Sequence, residues 1–249
     1  MRTQSMFRLI LQVVTSLFVA YALLLCILFL FQNYLLYFPN DDVFDECSSF
    51  EQVIVNDIRL HVDMRSSDIL VLYHGNAGSA CQREQFRNFT NRSIIILEYP
   101  GFGGDDTRPS EQRIKQAVWE VHRHVSSLNP RSVVVMGESI GSSFASYHAT
   151  LGGVDRLILL SPFDRLSSVV RMHYPYVPLF LLREEHPVTD YLERFSGPVF
   201  VMHGSADTVV PARLSESLSS QRVLIRGAGH NDLFTFSQSR EILREWLED

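Results

Sequence analysis

Ser139, Asp207 and His230 are the residues whose types and order point to nucleophilic chemistry. A serine hydroxyl is a weak nucleophile until a base takes its proton, and histidine serves best as that base when a carboxylate orients its ring. Ser139 stands in Gly137-Glu138-Ser139-Ile140-Gly141, a G-x-S-x-G pattern directly after the apolar run 133–136. Such a pattern places the serine at the apex of a strand-to-helix turn, with glycines where a Cβ would collide with the neighbouring strand and helix. Asp207 falls a few residues past the apolar run 199–202, and His230 lies in the loop Gly227-Ala228-Gly229-His230-Asn231-Asp232. Taken singly, each has a bland role: a Gly-rich loop serine, a turn aspartate before Pro211, a histidine at a helix start. Together they follow the chain order Ser, Asp, His that a hydrolase triad on a parallel sheet requires.

Acyl transfer also needs donors for the oxyanion of its tetrahedral intermediate, and backbone N–H groups supply them without reorganisation. The expected donors are Ile140, just after the nucleophile, and Asn76, favoured over Ala77, in His74-Gly75-Asn76-Ala77-Gly78. His74 is read as structural rather than as a second base. Cys26, Cys47 and Cys81 lack the C-x-x-C spacing of a metal or redox site, and triad chemistry implies neither a metal nor an organic cofactor.

These residues need a sheet whose strand ends converge. Short apolar runs at 69–73, 93–98, 132–136, 157–160, 199–202 and 223–225 have the character of parallel strands covered on both faces. A helix is expected over 110–128, with Ser110 as N-cap and Ile114, Ala117, Val118, Val121, Val125 and Leu128 on its inner face. Another is expected over 239–247, with Ile242, Leu243, Trp246 and Leu247 inward. Runs at 52–55 and 58–62 flank Asn56-Asp57 as a hairpin at a sheet edge. The sum is one doubly wound α/β domain over 40–249. Within it, the proline-rich apolar stretch 163–195 has two open readings, a small cap over the active-site crevice or an ordinary surface excursion.

Ahead of the domain, residues 9–31 are almost continuously apolar, broken only by Gln12, Thr15 and Ser16, which is enough to cross a bilayer as a helix. Cleavage after Ala20-Tyr21-Ala22 would leave an apolar new terminus, so an uncleaved anchor over 1–39 is the better reading. Arg2 and Arg8 precede it and Asp41, Asp42, Asp45 and Glu46 follow, which predicts a cytoplasmic N-terminus and a catalytic body on the luminal or extracytoplasmic side. The tyrosines and phenylalanine of QNYLLYFP at 32–39 suit a membrane–water interface. Beyond the anchor, 20 basic residues face 28 acidic ones, a balance that argues against nucleic acid as a partner. Asn88 and Asn91 head glycosylation sequons, and Cys47 and Cys81 would be able to pair in an oxidising compartment.

HGNAG at 74–78, EYPGFGG at 98–104, PSE at 109–111, GESIGS at 137–142, HGSADTVVP at 203–211 and GAGHND at 227–232 together resemble the α/β-hydrolase superfamily. The resemblance is strongest to its membrane-anchored serine hydrolases, a branch that includes palmitoyl-protein thioesterase-like members. It implies an α/β-hydrolase fold with Ser139 as nucleophile, Asp207 as acid and His230 as base. The implied reaction is hydrolysis of an ester or thioester of a small-molecule, lipid or acyl-protein substrate. Where relatives carry a Ser-x-Gly run, this chain has Gly104-Asp105-Asp106-Thr107-Arg108, which leaves one crevice-side loop undetermined. A peptidase or amidase on the same triad, and a non-catalytic membrane-tethered interaction protein, remain the alternatives.

Overall fold

A computed structural model describes residues 2–40 and 49–248. The chain opens with α1 (Arg2–Leu36), of which Thr3–Leu36 contains an 18-residue stretch of mean hydropathy 2.7 and is long and apolar enough to cross a membrane. Next come β1 (Phe38–Pro39), β2 (Glu51–Val55), β3 (Ile58–Asp63), β4 (Asp68–Tyr73), β5 (Ala77–Gly78) and β6 (Ser93–Glu98). From there helices and strands alternate: α2 (Glu111–Ser127), β7 (Ser132–Glu138), α3 (Gly141–Ala149) and β8 (Arg156–Leu160). Two short helices, α4 (Leu166–His173) and α5 (Val188–Leu192), precede β9 (Val199–Gly204), β10 (Gln221–Ile225) and α6 (Ser237–Glu248).

Among the described residues the main sheet has the order β10-β9-β8-β7-β4-β6-β3-β2. β2 and β3 pair antiparallel, as do β3 and β6, while the strands from β6 to β10 run parallel. The hairpin between β2 and β3 turns on Asn56 and Asp57, both at positive φ (49° and 66°), a conformation these two residue types tolerate. The central strands are apolar throughout because they are covered on both sides. Ile69, Val71 and Tyr73 of β4 enter one core with Val133 and Val135 of β7. Leu70 and Leu72 enter the opposite core with Val134 and Met136. This is the α/β-hydrolase arrangement, and its order reverses at β4, whose carboxyl end lies beside that of β7.

Ser110 caps α2 as expected, its side chain accepting from the Arg113 amide. Leu128 does not share the buried face: it is the C-cap residue just past the end of the helix at Ser127 and is 39% exposed. Tyr37 also departs from expectation. It is buried in the body at 2% exposure, so the chain joins the core before residue 40. Cys26 is a free thiol on α1. Cys47, and with it the pairing to Cys81, lies outside the described residues. Asn88 and Asn91 are both exposed, while the sequon residues Thr90 and Ser93 are buried.

Candidate active site

Ser139 sits between β7 and α3 at φ 53°, in the left-handed region that non-glycine residues enter only when their surroundings compel it. Close packing is what compels it. A Cβ on Gly137 would lie 2.4 Å from the Gly141 carbonyl oxygen, and one on Gly141 would lie 2.2 Å from that of Tyr73. The Ser139 amide donates to Leu160 O at 2.8 Å, and the Ser142 hydroxyl donates to Gly137 O at 3.1 Å, so the turn is fixed from both sides.

Asp207 and His230 reach the same place from adjoining strands. The loop after β9 is stitched to the loop after β10 by Ser205 N to Ile225 O (2.9 Å), Ala206 N to Ala228 O (2.8 Å) and Gly227 N to Ser205 Oγ (2.9 Å). His230 Nδ1 lies 2.7 Å from Asp207 Oδ2, and its Nε2 lies 3.0 Å from Ser139 Oγ. Because a carboxylate can only accept, Nδ1 carries the proton and Nε2 is left to accept the one on Ser139. The Asp207 carboxylate is buried, which opposes its charge. Hydrogen bonds from His203, His230 and the Val210 amide nevertheless hold it well below the usual carboxylate range.

His203 is a residue whose role sequence reasoning missed. Fully buried, it places Nε2 2.7 Å from Val210 O and 3.3 Å from Asp207 Oδ2, with Nδ1 2.9 Å from Ser215 Oγ. The Val209 and Val210 amides donate to the other carboxylate oxygen at 2.9 and 2.8 Å. Its place in the H-G-S-A-D run was the available signal.

The loop of the other expected donor packs against the serine, since a Cβ on Gly75 would stand 3.8 Å from Ser139 Cβ. Among the described residues, neither the Ile140 nor the Asn76 amide donates to a protein acceptor. His74 is fully buried, stacks on Tyr99 at 3.9 Å and holds Nδ1 2.9 Å from Gly75 O. Burial, with the nearby Arg83 charge, pushes its pKa well down, so it is a neutral structural group. Arg83 ties this loop to the serine turn, donating to Ser79 O at 3.1 Å and to Glu138 at 2.9 Å. The far side of the loop is joined to the end of α1. Asn76 Nδ2 donates to Leu36 O, the Phe38 amide donates to Asn76 O, both at 2.8 Å, and β1 pairs with β5.

Glu111, Glu184 and His186 each offer a donor atom within 4.8 Å of the others. Both Glu184 oxygens and Glu111 Oε2 already have protein partners. Glu184 accepts from Asn33, Tyr37 and the Glu111 amide, and Glu111 accepts from the Glu185 and His186 amides. The cluster is a knot joining α1, α2 and the segment before α5. Beside it, α2 and Glu184 border a cavity of about 670 Å³, away from the triad.

The chain belongs to the α/β-hydrolase superfamily. An uncharacterized protein of Mycobacterium tuberculosis is 31% identical over 227 residues, covering 81% of this chain and 81% of the relative. Alpha/beta hydrolase domain-containing protein 17B of Homo sapiens is 26% identical over 191 residues, covering 72% of this chain and 65% of the relative. Among solved structures, a Pyrococcus furiosus esterase superimposes with a TM-score of 0.63 at 15% identity, over 86% of this chain and 97% of its own. An Exiguobacterium antarcticum esterase does so with a TM-score of 0.61 at 16% identity, over 80% of this chain and all of its own (100%). No family model matches the chain.

Proposed function

We propose that this protein is a membrane-anchored serine hydrolase that cleaves a carboxylic ester or thioester through an acyl-enzyme. The observation that carries the reading is the continuous hydrogen-bonded line from Asp207 through His230 to Ser139. Ser139 attacks the acyl carbonyl while His230 Nε2 takes its proton, and the ionised Asp207 stabilises the imidazolium. The Ile140 and Asn76 amides bind the oxyanion, His230 protonates the leaving alcohol or thiol, and a water molecule repeats the sequence to release the acid.

The esterases among the structural neighbours favour an ester substrate, and the protein 17B relative favours hydrolase chemistry. α1 anchors the enzyme, with the N-terminus cytoplasmic and the body on the opposite face, following Arg8 before the span and the acidic residues after it. Segment 163–195 acts as the cap. Turnover of a chain-length series of acyl esters, thioesters and amides by the purified full chain tests this reading. Ester or thioester hydrolysis that disappears in Ser139→Ala is expected. Equal rates in the wild type and Ser139→Ala, or cleavage of amides alone, would overturn it.

A further inference from the structure

The stretch 174–182, Tyr-Pro-Tyr-Val-Pro-Leu-Phe-Leu-Leu, contains no charged residue. Pro175 and Pro178 keep it out of a long helix, and its only regular element is a single 3-10 turn at Leu179–Leu181. Its three aromatic side chains are exposed, Tyr174 62%, Tyr176 84% and Phe180 84%, while Leu182 packs against the core. Aromatic groups of this size, left outside in one contiguous loop, mark a surface with an apolar partner.

The position of the loop identifies that partner. Tyr21 donates to the Tyr176 carbonyl, Gln32 Nε2 donates to Leu181 O at 3.1 Å, and the Arg183 amide donates to Gln32 Oε1 at 2.8 Å. Tyr21 and Gln32 are about 16 Å apart along a helix that rises 1.5 Å per residue. On this part of α1, Ala22, Leu25, Leu28 and Gln32 are half-buried, a spacing that forms one face, while the other positions stay exposed. The loop therefore runs beside α1 as far as Tyr21, which lies midway in the apolar run 9–31. That run is about 34 Å long as a helix, against a hydrocarbon core of about 30 Å. If α1 crosses the bilayer, anything touching Tyr21 is inside the bilayer.

Charge reappears where the core should end. Arg183 lies over the Phe29 ring at 5.1 Å and Arg108 over the Tyr34 ring at 5.1 Å, the level at which lipid phosphates would meet them. We infer that loop 174–182 is embedded in the acyl chains of the leaflet facing the catalytic body, making a second membrane contact beside α1. It lies just beyond α4, whose His173 ring contacts Val209 O at 2.9 Å, two residues from Asp207. This sets that leaflet beside the loop that carries Asp207. The inference rests on α1 spanning the membrane and on Ser139 being the nucleophile.

Phe180→Trp and, separately, Leu24→Trp on the exposed side of α1 should be reconstituted as full chains in vesicles of phosphatidylcholine brominated in mid-chain. The fluorescence of the wild type, with Trp119 and Trp246, is subtracted. Quenching of both added tryptophans is the expected result. Quenching at residue 24 but not at 180 overturns the embedded loop and leaves the anchor standing, whereas quenching at neither removes both. Tyr176→Asp with Phe180→Asp should lower turnover of a long-chain ester in vesicles at least tenfold relative to the same variant's turnover of a short soluble ester. Equal turnover of both substrates before and after substitution, or self-association through this loop without quenching, would also overturn it.

Discussion

The Tyr73 carbonyl leaves no room for a side chain on Gly141, where a Cβ would stand 2.2 Å away. The contact presses the start of α3 onto the end of β4 and holds Ser139 at its positive φ. Gly141→Ala must push β4 and α3 apart, which costs about 1–3 kcal/mol for an overpacked site. A displacement of about 1 Å at the nucleophile is enough to lower kcat about 100-fold. Denaturant unfolding together with kcat on a short ester checks this, and an unchanged kcat would show that the serine turn does not depend on that contact.

Asp207 acts on Ser139 only through His230. Asp207→Asn is expected to lower kcat by about 10⁴-fold, the scale seen when a triad histidine is held in the wrong tautomer, with KM little changed. His203→Gln keeps the shape of its site but alters the donors around the carboxylate, so a smaller loss of kcat is expected. A loss confined to KM in either variant would place these groups in substrate binding instead.

The periodic parts of the fold were legible in the sequence because each carries its own pattern. Runs such as 133–136 read as doubly covered strands, and α2 showed its apolar face and its Ser110 cap. The three site residues were legible because each stands just past a strand in a motif of small residues. Tyr37 was not, because its burial depends on Glu184 and His186, about 150 positions away, whose partnership leaves no local spacing. Leu128 was misassigned because its helical phase is right but the helix has already ended. The role of His203 stayed hidden because a buried histidine and a surface one look alike until the loop closes around it.

Asn76 accepts from Phe38 and donates to Leu36, so the end of α1 and β1 form the outer wall of the expected oxyanion loop. A form lacking residues 1–31 keeps these contacts, while one lacking 1–39 loses them. Loss of one oxyanion donor costs about 10²–10³ in kcat, and a loosened loop should cost part of that, about tenfold or more. Soluble-ester kinetics on both forms provide the check, and equal kcat values would mean that the loop holds its shape unaided.

His148 and His186 are fully buried, and burial, aided by the His122 and Lys115 charges respectively, lowers each pKa to about 3. Their unfolded value is near 6.5, so the unfolded chain takes up protons first. Their contribution is complete above about pH 6.5 and is lost progressively as pH falls toward about 3. Glu184, raised by burial, works in the opposite sense and blunts the slope. Asp207, held low, stays ionised through most of that window. Urea midpoints should fall from about pH 7 to about pH 4.5. His186→Asn suits the positive φ of 43° at that position and should flatten the fall, whereas a midpoint independent of pH would contradict the assignment.

The central claim is that Ser139 attacks the acyl carbon. The most direct measurement is treatment of the full chain with a fluorophosphonate, followed by intact-mass and peptide-level mass spectrometry. One adduct per chain on Ser139 is predicted, absent in Ser139→Ala and strongly slowed in His230→Ala. Full labelling of Ser139→Ala, or an adduct on another residue of the wild type, would contradict it.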